Sequence, residues 1–469
     1  MSLRLTSTLG GELGEFVPLE AGRVSMYSCG PTVYGPAHLG NFRAFLFADL
    51  LRRYLEWSGL AVTWVMNITD VDDRIIRDLA AAGTTLDELT APHIERFLAD
   101  LDTLRVRRPD VMPRATQHTT EMAELIGRLL EKGHAYRTDD GSVFFSIASW
   151  PAYGRLARLD AGAARRGERV AADDYGKDDA RDFALWKGPR DGEPSWQTAV
   201  GAGRPGWHIE CSAMSMRYLG ETFDIHTGGV DLVFPHHENE MAQSEAATGR
   251  PFVGTWLHNA HLQMGGQKMA RREGNIARPA DAYEQGYRPA SVRYALLATH
   301  YRAPLEYGDD TLHHARAAVE RLSTAVTALD AYRHDAPDEA DLEAVLGDAR
   351  AGFVAGMDDD LNVSAALAAL FELVRELNRR IDAHSLSSDD ARRAAAALRD
   401  FDSVLAVLDL PDQLPPGAAA LLEQRSAARE ARQWVESDRL RDELNALGVQ
   451  VEDTRDGQRW RLRPEVSDG

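Results

Sequence analysis

The two cysteines of this chain and the run from Gly206 to Glu240 hold residue types that could bind a metal. Cys29 lies in MYSCGPTVYGPAHLGN and Cys211 in GWHIECSAM, while DIHTGGVDLVFPHHENE supplies His226, His236, His237, Glu238 and Glu240. A zinc site needs a few soft or borderline ligands brought together by the fold. His236 and Glu240 are four positions apart, so on a helix they project from one face, and Pro235 suits the first turn of that helix. With the two cysteines they would make a site of two thiolates, one imidazole and one carboxylate. The plainer reading is that both cysteines are small buried apolar residues. That reading wins for any one residue taken singly; the three runs together favour a metal.

Such a site needs elements to carry it. Val24–Cys29 reads as a buried strand ending at the turn Gly30-Pro31. Phe42–Trp57 has apolar residues at three and four spacing and is expected as a helix stopped by Gly59. Val62–Ile68 is the next buried strand. Strand, helix, strand with buried runs is a βαβ unit of a parallel sheet. This layout puts His38-Leu39-Gly40-Asn41 where a strand ends and a helix begins, and free backbone N–H groups and the helix dipole attract phosphate there. Gly40 would let a flat group approach the backbone, and His38 could donate to phosphate oxygens. Alternatively Asn41 simply caps the helix. Further on, glycines flank the basic cluster of Gly265–Asn275, which suggests a mobile cationic loop able to close on a triphosphate or, more plainly, a solvated turn.

The chain has 469 residues and a formal net charge of −20. The length suggests two to four domains. The charge argues against nucleic-acid binding by bulk attraction, DNA included, and leaves room for a local basic face on RNA. No apolar run is long enough to span a bilayer, and the N-terminus lacks a signal pattern. Two cysteines make no disulfide framework, so a reducing cytoplasm is expected. Residues 2–20 read as a short β entry. Leu86–Leu104 and Thr116–Lys132 read as helices and Gly141–Ile147 as a strand. Residues 116–204 look like an insertion, weakly periodic beyond 152, with Ala164–Asp179 a solvated loop. A helix over His236–Thr248 and a strand over Thr255–His261 follow. Pro289–Leu297, Asp310–Ala331 and Asp341–Leu408 point to a helical bundle and Pro411–Pro416 to a linker. Ala418–Leu447 reads as helical, and Gly448–Leu462 as two strands about the turn Arg455-Asp456-Gly457.

The chain resembles the bacterial cysteinyl-tRNA synthetases, class I aminoacyl-tRNA synthetases, over almost its full length. CGPTVYGPAHLGN, NITDVDDRII, RPDVMPRATQH, RPGWHIECSAM and DIHTGGVDLVFPHHENE are similar to the family's stretches and stand in the family's order. The resemblance implies an α/β fold with a Rossmann-like catalytic domain in two halves (1–115 and 205–264) around a connective insertion (116–204). It also implies a loop and stem-contact segment (265–312), an α-helical bundle (313–412) and a small α+β anticodon-binding module (413–469). By motif position the ligands of one Zn2+ would be Cys29, Cys211, His236 and Glu240. His38 and Asn41 would fill the ends of the HIGH-type motif around Gly40, and Lys268 to Arg272 would be the KMSKS-type loop. His38, Asn41, Lys268 and Arg271 would then be catalytic, and Gly40 and Met269 would join them in holding ATP. Thr69, Trp207, His226 and Asp231 would surround the amino acid. Arg429, Asp438 and Asp453 would read the anticodon, with Trp434 stacking or packing between them.

The implied activity is attack of the cysteine carboxylate on the α-phosphate of ATP, with Mg2+ on the phosphates, followed by transfer to tRNA-Cys. Zinc would select the thiolate over serine's hydroxyl, and no editing-domain candidate is found, which fits so strong a filter. A monomer is implied. Two departures stand out: Asn41 replaces the usual histidine, and KMARR replaces KMSKS, so that Arg271 stands for a lysine. The alternatives are a cysteine ligase with an amino-sugar acceptor, of the mycothiol-pathway type, against which the C-terminal module speaks, and a non-catalytic zinc- or RNA-binding paralogue.

Overall fold

Four parallel strands carry the site. Arg23–Ser28 is flanked by Ala61–Met66 on one side and Phe223–Gly229 on the other, with Val253–Asn259 outermost. In this register Met26 pairs with both Trp64 and Ile225. The crossover helix Leu39–Trp57 buries Leu39, Phe42, Phe45, Leu46 and Leu50. The chain leaves Arg23–Ser28 toward Ala61–Met66 and returns to its other side only with Phe223–Gly229. Neighbouring strand ends therefore send their chains apart, and a crevice opens at the carboxyl ends of the sheet. The sheet expected from the sequence is present.

The computed structural model describes residues 3–159, 182–334, 337–339, 341–410, 415, 417–454 and 457–462. The expected loop Ala164–Asp179, most of the linker Pro411–Pro416, and Arg455 and Asp456 of the C-terminal turn lie outside them. The β entry is Arg4–Thr6 paired antiparallel with Leu13–Glu15. The last part of the weakly periodic stretch, from 183 on, forms regular strands that its composition does not suggest. Phe183–Lys187, Trp196–Thr198 and Gly201–Pro205 join Ala135–Arg137 and Val143–Phe145 in a five-stranded antiparallel sheet. Every residue of Phe183–Lys187 is buried, and Phe183, Leu185 and Trp186 pack with Met122, Ile126 and Leu129 of the Thr119–Glu131 helix. A strand buried on both faces shows no alternation, which hides it from a search for period two.

A short helix, Asp73–Ala82, was not anticipated; Asp72 caps it, its side chain accepting from the N–H groups of Arg74 and Ile75. The helices Asp309–Ala331, Leu342–Asp358, Val363–Asp382 and Ser388–Leu405 form the bundle. It meets the sheet layer through buried polar contacts. Arg293 donates to Asp49 Oδ2 at 2.6 Å and to Leu405 O at 2.6 Å, and Tyr54 donates to Asp358 at 2.7 Å. All of this forms one compact unit, 1–408. The second unit, 409–469, is built of the helices Ala418–Glu430 and Trp434–Ala446 and the hairpin Val449–Thr454/Gly457–Leu462. The single helical stretch expected over 418–447 is thus two helices, broken where Arg432 takes a left-handed φ of 57°. No helix among the described residues is long and apolar enough to cross a membrane.

Candidate active site

Cys29 follows the central strand directly, and Cys211 lies on the helix Trp207–Leu219. Their Sγ atoms are 3.6 Å apart, and Cys29 Sγ is 3.5 Å from Glu240 Oε1. His236 Nε2 is 2.9 Å from the same carboxylate oxygen. One donor atom from each of Cys29, Cys211, His236 and Glu240 lies within 4.8 Å of all the others, and all four residues are buried. The helix carrying the last two begins differently from the expectation. Phe234 is extended, the Phe234-Pro235 peptide is cis, and a turn of π-helix over Val233–His237 leads into the helix Glu238–Thr248. The i, i+4 pair nevertheless faces one way. Gly30 has a reason to be glycine: an added Cβ would run into the Asn67 carbonyl.

The donor set suits zinc: two sulfurs, one imidazole nitrogen and one carboxylate oxygen. Without a cation the four share protons. Against the burial that would raise it, Glu240 is drawn down to about 2 by His236 and His226. Against the burial that would lower it, His236 is lifted to about 10 by Glu240 and Cys211. Burial pushes the Cys29 thiol well up. Burial would raise Cys211 too, but the hydrogen bond from Cys29 and the adjacent His236 bring it down to about 6. One thiolate, one imidazolium and one carboxylate in a dry pocket are a set that a divalent cation displaces protons from.

Outer partners fix the donors. His208 Nδ1 is 2.8 Å from His236 Nδ1, so the ring presents Nε2 to the site. His226 Nε2 is 3.0 Å from Glu240 Oε2. His237 Nε2 lies 3.3 Å from Cys29 Sγ, and its Nδ1 is 2.7 Å from His258 Nε2. A second set, Cys29, His226, His237 and Glu240, therefore also meets the distance condition. Glu238 belongs to the scaffold: it accepts from the backbone N–H groups of Gly154 and Ala157.

Three of the donors, Cys29, Cys211 and His236, line the inner end of a cavity of about 780 Å³, with Glu240 buried behind them. Thr69, Trp207 and Asp231 line it, as do His38, Gly40, Asn41, Lys268, Met269 and Arg271. Trp207 stacks on the His236 ring at 4.2 Å. Thr69 Oγ1 donates to the buried Glu210 at 3.0 Å. His226, expected beside the amino acid, is instead wholly buried behind Glu240 and off the cavity wall.

The outer end is the rim where phosphate is expected. His38 is the N-cap of Leu39–Trp57, and its backbone N–H donates to Asn41 Oδ1 at 3.1 Å. Asn41 thus serves the cap with its side-chain oxygen. Gly40 makes room for the His38 ring, which an added Cβ would approach to 3.0 Å. Burial, then Arg271 and Lys268, hold His38 down to about 4, so its ring is neutral at pH 7. The glycine-flanked loop is a defined hairpin. Gly265 and Gly266 turn with φ of 62° and 74°, as a two-residue hairpin requires. Gln267–Lys268 pairs with Leu262–Met264. Met269 is buried, and Asn275 bridges Lys268 O and the Ala270 N–H at 3.0 and 2.9 Å. Lys268 Nζ meets Asp231 Oδ2 at 3.0 Å, which outweighs local desolvation and holds that carboxyl below its usual range.

Three domain families match in order. The class I tRNA synthetase (C) catalytic domain covers residues 15–317, the DALR domain 352–409 and the cysteinyl-tRNA ligase anticodon-binding domain 411–461. The chain belongs to the cysteinyl-tRNA synthetase family. The cysteine–tRNA ligase of Solibacter usitatus is 45% identical across 99% of this chain and 100% of that one. That of Symbiobacterium thermophilum is 45% identical across 98% and 100%, and that of Chlamydia muridarum 42% across 98% and 99%. Among solved structures, the methionyl-tRNA synthetase of Mycobacterium tuberculosis in complex with methionyl-adenylate superposes with a TM-score of 0.59 at 16% identity, over 82% of this chain and 90% of that one, a likeness of fold.

In the C-terminal unit, Asp453 is shared by Arg425, at 2.9 and 3.1 Å, and Arg429, at 2.7 Å. Arg429 lies 5.9 Å from the Trp434 ring, whose side of the helix is exposed. Asp438 sits on that helix and pairs with Arg441 at 3.3 Å. Of the three residues expected to read the anticodon, two are thus in contact and the third has its own partner. The sequence reading did not single out His208, His258, Asn67, Tyr34 or Arg425. Only His208 left a signal: it lies three positions before Cys211, on the same helical face.

Proposed function

We infer that the chain activates L-cysteine with ATP and transfers it to the 3′ end of tRNA-Cys. The observation that carries this reading is the junction, in one cavity, of a buried thiol-imidazole-carboxylate set with a cationic hairpin and a helix N-terminus. The cysteine carboxylate attacks the α-phosphate in line, pyrophosphate leaves, and a ribose hydroxyl of the terminal adenosine then attacks the mixed anhydride and releases AMP. No protein nucleophile enters, so rate comes from alignment and charge stabilisation. Lys268 and Arg271 neutralise the leaving pyrophosphate, while neutral His38 and the Asn41 amide donate to phosphate oxygens at the helix N-terminus. ATP brings Mg2+ with it as part of the substrate. Thr69, Trp207 and Asp231 shape the amino-acid pocket.

Cys29, Cys211, His236 and Glu240 would hold Zn2+, which when bound supplies a soft Lewis acid that takes a substrate thiolate and rejects a hydroxyl. His208 orients His236, and His226 orients Glu240. Arg429, Asp438 and Asp453 would read the anticodon. The catalytic domain would comprise 1–115 and 205–264, with 116–204 inserted, 265–312 meeting the stem, 313–412 the bundle and 413–469 the anticodon module. A reducing cytoplasm fits two free buried thiols, and the protein would act as a monomer. The anticodon-binding match over 411–461 weighs against an amino-sugar acceptor. The test is ATP–pyrophosphate exchange with cysteine, with serine as control and zinc assayed alongside, then acylation of tRNA-Cys. Absence of exchange by zinc-loaded protein would overturn the reading.

A further inference from the structure

Arg271 departs from the family's lysine, and its guanidinium has a fitted seat. It lies over the Tyr34 ring at 4.6 Å, and its Nη2 donates to the Pro36 carbonyl. Between these two residues comes Gly35, where an added Cβ would stand 2.5 Å from Arg271 Nη1. Gly35 has no left-handed φ, so the backbone there would accept alanine, and what the glycine contributes is space. Arg74 also steadies the ring, 5.0 Å from its centroid, with Nη1 donating to the Tyr34 hydroxyl at 3.0 Å. Tyr34, Gly35, Arg74 and Arg271 all line the cavity. A guanidinium is planar and weakly hydrated, so it stacks on an aromatic face while donating in its own plane. A lysine ammonium is a compact hydrated point charge and cannot do both.

We propose that Tyr34 is a positioning residue for Arg271: its ring, the gap at Gly35 and the Pro36 carbonyl form a receptor that holds the 268–275 loop over the triphosphate space and makes arginine, not lysine, the residue this loop requires. The catalytic consequence rests on the synthetase reading; the structural one does not. The lysine of the commoner motif therefore slows this chain when restored.

The experiment pairs two readouts on the full-length protein. Amide hydrogen exchange of residues 266–276 is followed without substrates in the wild type, Gly35→Ala, Tyr34→Leu, Tyr34→Phe and Arg271→Lys. ATP–pyrophosphate exchange is then measured on the same proteins and on Tyr34→Leu/Arg271→Lys. Gly35→Ala, Tyr34→Leu and Arg271→Lys are expected to lose loop protection and to lower kcat roughly tenfold, the loss of one desolvated cation–π contact, with KM for cysteine unchanged. Tyr34→Phe, which retains the ring, keeps the protection. The double variant is no slower than Tyr34→Leu, because the two changes remove one interaction. Undiminished protection in both Gly35→Ala and Tyr34→Leu, additive losses in the double variant, or Arg271→Lys at or above the wild-type rate would overturn the proposal. A wild type without pyrophosphate exchange would sink the synthetase reading, and loop protection would still decide whether the receptor exists.

Discussion

At the inner end of the cavity, Cys29, Cys211, His236 and Glu240 are each less than one-tenth exposed, and outer partners hold Glu240 and the Nδ1 of His236. At the outer rim, the Lys268 and Asp231 side chains are 39% and 52% exposed and pair with each other, while Arg271 is seated on Tyr34 and the Pro36 carbonyl. The inner site is preorganised in low dielectric, where a wrong ligand finds no way to adapt. The Lys268–Asp231 pair is a contact of the surface type, worth little, which a triphosphate can displace. On the proposed reading, selection and activation share one cavity but rest on different physics: buried contacts hold the first, and the second includes an exposed pair that its substrate can displace.

Removing a donor should break this contrast most severely. Cys211→Ser leaves a hard hydroxyl where a soft thiolate stood. Zinc content and cysteine-dependent pyrophosphate exchange are expected to vanish together, as read by metal analysis and exchange assay. At the rim the loss is graded. Lys268→Ala is expected to lower kcat for exchange roughly 100- to 1000-fold, the usual cost of one charge-stabilising donor, with zinc content and KM for cysteine kept. A partner one layer out costs less: His208→Ala, which frees Nδ1 of His236, should weaken zinc roughly 10- to 100-fold in chelator competition. The smallest effect is on stability against pH. Burial, then His226, holds His258 down to about 3, below its unfolded value of about 6.5. The unfolded chain therefore binds the proton first as pH falls. Stability contributed by the neutral ring is full above about pH 6.5 and drops by about 1.4 kcal/mol per pH unit below it until the folded value is reached. Urea midpoints at pH 7.5, 6 and 5 should fall in that order, and a pH-independent midpoint would contradict the burial argument.

The parallel sheet and its crossover were legible because buried strands and an amphipathic helix leave local patterns. Phe183–Lys187 and Asp73–Ala82 were not. The first is buried on both faces and so has no alternation, and the second is a short helix started by a cap that reads equally well as a loop. In the C-terminal unit, the break at Arg432 depends on one left-handed residue, and nothing in its side chain announces that.

The sequence by itself determined the donor types, the i, i+4 pairing of His236 with Glu240, the start of the Leu39 helix and the glycine-flanked basic loop, since each is written within one or two turns of chain. Only the tertiary structure decided that Cys29 and Cys211 meet, that His226 stands behind Glu240 and off the cavity wall, and that Arg271 rests on Tyr34. These pairings join residues from different strands and loops, and no local periodicity carries information about which distant chain end the sheet order will bring alongside.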